Sequence, residues 1–368
     1  MKFIKKVTAI ALAMSFFAPV SALAEELPVL TLQEASRRAV NNSNAIRNAN
    51  DSFVSIDENY ERTRDMFFMP MQFSNDIQQI QTGLRNLETQ RTNLSDSIAV
   101  QRQALEFLVL SHFVDITLAE EALYLFNNHN LPLVRRDLAI LNTMVMLGLS
   151  TPAERSIAEL NHNMLLQNRV NLENAISDAR VELNRLMGVS TDRLYNLDFE
   201  IEFAPLPNNF DLARHVRTQR DRSFAIDQAV RSLDLARFEL DNHTLNFNMH
   251  TGMVMPNSVT RDERQASVNI AQRNVSDSRT QVEHAITDLY HTLRRIEHGI
   301  ATLELRLLSL HQEREILEAR LSVGQITQLE LDRQDFAILT LQNDIQQQKA
   351  MHGILTVQFN NSNLLMRG

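Results

Sequence analysis

Residues 286–310 read ITDLYHTLRRIEHGIATLELRLLSL, and this stretch decides the fold class of the chain. Aliphatic residues recur within it at alternating steps of three and four, at Ile286, Leu289, Leu293, Ile296, Ile300, Leu303, Leu307 and Leu310. This spacing is the seam of a coiled coil, in which one long helix packs against a neighbouring helix. The same alternation occurs in residues 46–60, 77–108 and 172–186. The chain is therefore predicted to be built from long, paired helices.

The composition supports an all-helical protein and excludes several chemistries. The 368 residues include no Cys, no Trp, 8 Gly and 8 Pro, which is too few turn formers for an all-β fold. Without Cys there is no disulfide, no thiolate metal site and no cysteine nucleophile. The glycines are too widely spaced for a phosphate-binding loop, and no hydrolase or metallopeptidase motif occurs. We predict a protein that is not an enzyme and holds no cofactor and no metal.

The amino terminus has the organisation of a signal for export. Lys2, Lys5 and Lys6 precede an apolar stretch that ends in Ala22-Leu23-Ala24. This order is typical of a Sec signal peptide, with cleavage expected before Glu25. The formal net charge of −9 becomes more negative when the three lysines are removed. The signal predicts export through the Sec pathway to the cell envelope. An acidic chain is a poor match for nucleic acid or for an anionic membrane surface, so we predict no nucleic-acid partner.

An internal repeat organises the mature chain. A shift of 176 residues superposes Gly148-Leu149-Ser150-Thr151-Pro152-Ala153-Glu154 on Gly324-Gln325-Ile326-Thr327-Gln328-Leu329-Glu330. In each segment the glycine can end one helix, the threonine can begin the next, and the glutamate three residues later completes a capping box. Both segments lie between two apolar-periodic stretches. Each is therefore predicted to be the turn of a helical hairpin.

The repeat predicts two tandem structural repeats in an all-α chain. We expect a signal peptide at 1–24, a first helical repeat at 25–187, a linker at 188–208 and a second helical repeat at 209–368. Helices are expected at 31–66, 73–147, 152–187, 209–246, 258–323 and 326–365. Residues 127–132 are expected to kink or interrupt the second of these, because Pro132 interrupts the helical hydrogen bonds. A short strand is possible in the linker, where Leu197 and Phe199 alternate with polar residues. Each half would pack one long helix on two shorter ones as antiparallel coiled-coil hairpins, and a chain this thin is expected to form an oligomer.

The sequence resembles the TolC family of outer-membrane efflux proteins. The resemblance rests on Leu30-Thr31-Leu32-Gln33-Glu34-Ala35, on Asn41-Asn42, on the duplicated long and short helices and on the two Gly-x-x-Thr-x-x-Glu turns. It implies a TolC-like α-barrel protomer with little or no β-structure and a homotrimer that encloses a helical tunnel. It also implies an exit duct of an efflux or type I secretion system, which docks a periplasmic adaptor protein and an inner-membrane pump.

The resemblance also assigns roles to particular residues. The pump-proximal tip turns, where the adaptor docks, would be formed by Gly148, Leu149, Ser150 and Thr151 and by Gly324, Gln325, Ile326 and Thr327. Glu154 and Glu330 would line or lock the aperture of the tunnel. Simple capping of a helix amino terminus is the alternative role for both glutamates.

One departure from the family pattern leaves a second function open. Family members carry two membrane-spanning strands between the first and second helices of each half, and each such strand needs roughly 9–11 residues. Residues 67–75 and 245–258 are too short for two strands and a loop. We therefore predict that these strands are missing, so that an outer-membrane, a periplasmic and another extracytoplasmic location all stay open. The alternative function is a non-transporting coiled-coil structural or binding protein of the cell envelope.

Overall fold

The computed structural model describes residues 27–66, 74–243, 246–247, 252–255 and 259–365. The predicted signal peptide, residues 67–73 and most of residues 245–258 lie outside these ranges. The elements are β1 (Val29–Thr31), α1 (Leu32–Asn42), α2 (Asn44–Met66), α3 (Ser74–Leu125), a π-helical turn (Phe126–Asn130), α4 (Leu131–Met146), α5 (Pro152–Met187), β2 (Asn196–Asp198), α6 (Leu212–Arg220), α7 (Phe224–Asp241), β3 (Asn246–Phe247), β4 (Val254–Met255), α8 (Arg261–Ser322), α9 (Gln328–Phe359) and a 3₁₀ turn (Ser362–Leu364).

One long helical rod forms the framework of each half. In the first half, α3, the π-helical turn and α4 run continuously; α2 packs on α3, and α5 packs on both α3 and α4. In the second half, α8 has 62 residues, roughly 93 Å at the helical rise per residue, and it carries α7 and α9. The predicted all-α fold of one long helix against two shorter ones in each half is confirmed.

The predicted coiled-coil seam is the core of the second half. Ile286 and Leu293 are fully buried, and Ile300 is nearly so. The first two of these residues cluster with Phe359 from the end of α9. Fully burying one such side chain contributes about 1.5–3 kcal/mol. The heptad pattern of residues 286–310 thus encodes the contact between α8 and its neighbours.

Two of the predicted helices are each divided into two. The predicted helix at 31–66 breaks at Ser43, whose hydroxyl accepts a hydrogen bond from the N–H of Ile46 at 3.3 Å. That bond makes Ser43 the N-cap of α2. The predicted helix at 209–246 is divided into α6 and α7 by residues 221–223. Both predictions of a single helix are wrong. At the first break the Ser43 hydroxyl competes with the backbone for a helical hydrogen bond. At the second break the N–H groups of Asp221 and Ser223 donate to the carbonyls of Arg217 and Arg220 and end α6.

The predicted kink or interruption at residues 127–132 takes the form of a π-helical turn, Phe126–Asn130. Pro132 has no N–H to donate, and its ring disfavours a regular helix just before it. The N–H of Leu131 donates to the carbonyl of Phe126, five residues earlier. The extra residue in this turn accommodates the proline without ending the rod, so α4 continues from α3.

The β-structure of the described residues is confined to two small pairs of strands. β1 pairs with β2 in parallel, with Leu30 opposite Leu197, so the strand considered possible in the linker is present. Asn184 at the end of α5 is buried, and its side-chain amide donates to the carbonyls of Thr191 at 3.1 Å and Arg193 at 3.0 Å. β3 and β4 form an antiparallel pair of two residues each. The linker is thus tied to both ends of the first half.

A buried carboxylate holds the later part of the linker on α8. Glu297 accepts hydrogen bonds from the backbone N–H of Leu206 at 2.7 Å and from Arg294 at 2.9 Å, and its other contact is the His352 ring nitrogen at 3.0 Å. Burial raises the pKa of Glu297, but the hydrogen bonds from Leu206, His352 and Arg294 outweigh burial and lower the pKa overall. A charged network therefore joins the linker, α8 and α9.

Across the described ranges, no helix combines the length and the apolar character that crossing a membrane requires.

Candidate functional site: the tip turns

The first tip turn, residues 148–151, is shaped by Gly148. Its φ is 73°, a left-handed conformation that glycine adopts without steric cost. The N–H of Gly148 donates to the carbonyl of Val145 at 3.1 Å, and that of Leu149 to the carbonyl of Met144 at 2.8 Å. This pair of bonds is a Schellman motif, which satisfies the last carbonyls of α4.

The second tip turn, residues 324–327, repeats this geometry. Gly324 has a φ of 71°. The N–H groups of Gly324 and Gln325 donate at 2.9 Å to the carbonyls of Leu321 and Arg320, near the end of α8. The two predicted hairpin turns are therefore present, and their backbones are equivalent.

Glu154 closes a capping box at the start of α5. Its backbone N–H donates to the hydroxyl of Thr151 at 3.3 Å, and its carboxylate accepts from the N–H of Thr151 at 2.9 Å and from the hydroxyl of Ser150. The hydrogen bond from Ser150, followed by those from Thr151, lowers the pKa of Glu154. The carboxylate is therefore ionised at neutral pH and is held against the turn.

Glu330 occupies the equivalent position at the start of α9. Its carboxylate accepts from the N–H of Thr327 at 2.7 Å and from the Thr327 hydroxyl at 3.2 Å. The capping that the sequence predicted thus involves both glutamates. Whether they also line an aperture depends on the neighbours of this protomer, and that role stays a prediction.

The tip turns lie at the same end of the molecule, and two ion pairs join the helices beside them. Arg136 on α4 pairs with Asp332 on α9, and Arg333 pairs with Asp137 at 2.9 Å. All four residues lie within about 20 Å of their own turn, given the helical rise per residue. These pairs are not evident from the sequence, because the partners lie 196 residues apart. The sequence does contain one indication of the pairing: the charges follow the order Arg-Asp at residues 136–137 and the reverse order Asp-Arg at residues 332–333.

A groove of about 640 Å³ lies beside these pairs, between α4, α8 and α9. Pro132 and Arg136 line one side, and Asp332 and Phe336 line the other. Arg314 of α8 also faces the groove and pairs with Asp335 at 2.6 Å. The contact between the two halves near the tips thus combines two ion pairs with apolar side chains that line the groove.

Large apolar side chains are exposed at both turns. Met146 is 82% exposed, and Leu147, Leu149 and Val323 are each more than two-thirds exposed. Exposed apolar clusters of this kind commonly mark a contact surface for another protein. The tips therefore combine a rigid backbone with apolar side chains that have no partner within the described part of the protomer.

Three histidines recur every seven residues on α8 and could be considered as metal ligands. His284, His291 and His298 are exposed along α8 and are spaced about 10 Å apart, too far for one ion. Among the described residues, no group of three His, Asp or Glu side chains is arranged to hold a metal ion.

Comparison with known proteins places the fold. No family model matches the chain, and no curated protein matches it in sequence. A membrane protein from Pseudomonas aeruginosa superposes with a TM-score of 0.64 at 11% identity, over 96% of this chain and 98% of that chain. The outer membrane protein VceC of Vibrio cholerae superposes with a TM-score of 0.64 at 11% identity, over 90% of this chain and 96% of that chain. The CmeC outer membrane channel of Campylobacter jejuni superposes with a TM-score of 0.60 at 10% identity, over 97% of this chain and 94% of that chain.

At these identities the likeness establishes the fold. It agrees with the resemblance found in the sequence, and it extends over nearly the whole described chain and nearly the whole of each channel. The chain has the helical fold of the TolC family of outer-membrane efflux proteins.

Proposed function

We propose that the protein is a TolC-like exit-duct component of an efflux or type I secretion system. Three copies would enclose a helical tunnel in the cell envelope, with the tips directed towards an inner-membrane pump. The observation that carries the proposal is the geometry of the two equivalent hairpin turns, which lie at one end of the protomer beside the pairs Arg136–Asp332 and Arg333–Asp137. The fold shared with solved outer-membrane channels supports it.

The tips are suited to docking an adaptor protein. The backbones of both turns are fixed by Schellman motifs and capping boxes, so little conformational entropy is lost when a partner binds. The exposed side chains of Met146, Leu147, Leu149 and Val323 supply the apolar area. We assign adaptor docking to residues 148–151 and 324–327 together with these neighbouring side chains.

The glutamates would act where copies of the tip converge. Glu154 and Glu330 are exposed, and several copies around an axis would bring like charges together. Rings of carboxylates favour cations in a pore. We propose that the two glutamates line the aperture in addition to capping α5 and α9.

Genetic complementation tests the proposal. Deletion of the gene is expected to raise sensitivity to an exported compound or to block a secreted protein, and the wild-type gene is expected to restore the phenotype. Leu149→Asp together with Val323→Asp should fail to restore it, because charges would replace the apolar docking area. Leu194→Asp is the matched control, since Leu194 is also exposed, at 58%, but lies in the turn after α5.

The same experiment separates the duct from the alternative function. A deletion without phenotype in a cell with an intact adaptor would contradict the duct. Full restoration by the double tip variant would contradict adaptor docking at the tips and would favour the non-transporting spacer.

A further inference from the structure

Each protomer has two open edges formed by different helices. α3 contacts α5 on one side and α7 and α9 on the other, while α8 packs on α6, α7 and α9. The order across the protomer is therefore α2 and α5, then α3–α4, then α7 and α9, then α8. Helix α5 lies at one edge and helix α8 at the opposite edge.

The open face of α8 is apolar near the tip. Leu305 is 70% exposed, and Leu308 and Ile316 are each more than half exposed. The neighbouring positions Leu303, Leu307 and Leu310 pack in the cluster shared with α9. The exposed side chains thus point away from α9.

The open face of α5 is apolar at the same level. Ile157, Leu160 and Met164 are each more than half exposed, and their spacing of three and four puts them on one face of the helix. His162 and Leu165, on the other side of α5, are partly buried. The protomer therefore has two unpartnered apolar faces on opposite edges.

The internal repeat shows that these two faces match. The shift of 176 residues places Leu308 at the position of Pro132 and Leu160 at the position of Phe336. Pro132 and Phe336 line the two sides of the groove between the halves of one chain. Leu308 and Leu160 lie at opposite edges of one protomer, so the equivalent groove forms only between two copies.

The contact between the two halves of one chain and the equivalent contact between two copies, here called the two seams, differ in chemistry. Inside the chain, Arg136–Asp332 and Arg333–Asp137 cross the seam. In the repeat, Gln312 takes the place of Arg136, and Ser156 takes the place of its partner Asp332. Likewise Ile157 takes the place of Arg333, and Glu313 takes the place of its partner Asp137. These four residues contain no pair of opposite charges. At these positions a contact between copies would therefore be apolar, whereas the contact within the chain adds two ion pairs to its apolar lining.

We infer that the Leu305, Leu308 and Ile316 face of α8 binds the Ile157, Leu160 and Met164 face of α5 in a second copy of this chain. The contact joins two different faces, so it repeats from copy to copy and closes a ring when the rotation per copy allows it. The inference rests on the proposed duct and adds the residues and the apolar chemistry of its seam.

Cysteine cross-linking tests this seam directly, because the chain has no Cys of its own. In the full-length protein, Leu308→Cys combined with Leu160→Cys is expected to give covalent dimers and larger species with a short bismaleimide. The control pair is Leu308→Cys with Val170→Cys. Val170 is also exposed, at 44%, but lies ten residues, or about 15 Å, further along α5. Cross-linking of the first pair should exceed that of the control pair about tenfold.

The outcomes separate the seam from the duct. Equal cross-linking of both pairs, or strong cross-linking of Leu308→Cys alone, would overturn the seam, the latter by showing two α8 faces in contact. If light scattering still finds an oligomer in those cases, the duct survives and only the seam fails. A wild-type protein that is monomeric at every concentration would overturn both.

A second pair of variants checks the chemistry of the seam. Leu308→Asp should lower the oligomer fraction at least tenfold at fixed protein concentration, whereas Leu194→Asp should leave it unchanged. Salt at high concentration should not dissociate the wild-type oligomer, because apolar contacts are not screened. Dissociation by salt would overturn the apolar seam.

Discussion

Replacement of Gly188 by alanine should destabilise the protein far more than the same change at Gly148. Both glycines have a left-handed backbone, with φ of 68° and 73°, and that conformation costs a non-glycine residue about 1–2 kcal/mol. They differ in their surroundings. A Cβ at Gly188 would lie 2.4 Å from Oδ1 of Asn42, while a Cβ at Gly148 would meet no atom within 4 Å.

The extra cost at Gly188 follows from what Asn42 does. Its side-chain amide donates to the carbonyls of Arg185 at 3.3 Å and Leu186 at 3.1 Å, and so caps the end of α5. Moving Asn42 aside would break both hydrogen bonds, each worth about 1 kcal/mol. Gly188→Ala should therefore cost about 3–4 kcal/mol, and Gly148→Ala about 1–2 kcal/mol.

Urea denaturation followed by circular dichroism measures both costs, at one protein concentration because oligomers are stabilised by mass action. In the background of Asn42→Ala, the clash is gone, and Gly188→Ala should cost no more than Gly148→Ala. Equal costs of the two glycine variants in the wild-type background would refute the reasoning. So would a cost of Gly188→Ala that is unchanged when Asn42 is removed.

Three further predictions concern ionised groups. Glu297→Ala removes the carboxylate from a largely buried network with Arg294 and His352. The free energy of unfolding in urea should therefore fall by about 3 kcal/mol or more. A loss of less than about 1 kcal/mol would show that the network does not stabilise the fold. The pKa of Glu154 is lowered, so the stability that its carboxylate contributes is complete above the ordinary carboxyl pKa and is lost as the pH falls through the lowered value. Glu154→Gln should therefore weaken the fall of Tm at acidic pH. An unchanged fall of Tm would contradict this. A double-mutant cycle on Arg136→Ala and Asp332→Ala should give a coupling below about 1 kcal/mol that vanishes in about 1 M salt, since solvent reaches both side chains, which are 53% and 29% exposed. A salt-independent coupling would disagree.

The hairpins were predictable because local chemistry specifies them. Glycine at the end of a helix, threonine at the start of the next and glutamate three residues later act within one turn of chain, so Gly148 and Gly324 were found in the sequence. The heptads were predictable for the same reason, since a spacing of three and four already describes a packed face.

Features that depend on distant partners were not predictable. The parallel pairing of Leu30 with Leu197 joins the amino terminus to the linker, and one strand alone does not show its partner. Arg136 and Asp332 are ordinary exposed charges until the fold brings them together. The break at Ser43 had a local signal in the run Asn41-Asn42-Ser43-Asn44, which is rich in cap-forming residues. The apolar periodicity continues across that break and masked it.

The central claim is that copies of this chain assemble into a tunnel. Its most direct test is the solution mass of residues 25–368, measured by light scattering without detergent over a range of protein concentrations. The proposed duct predicts a stable species with three times the mass of one chain. A protein that stays monomeric over the whole range would contradict it.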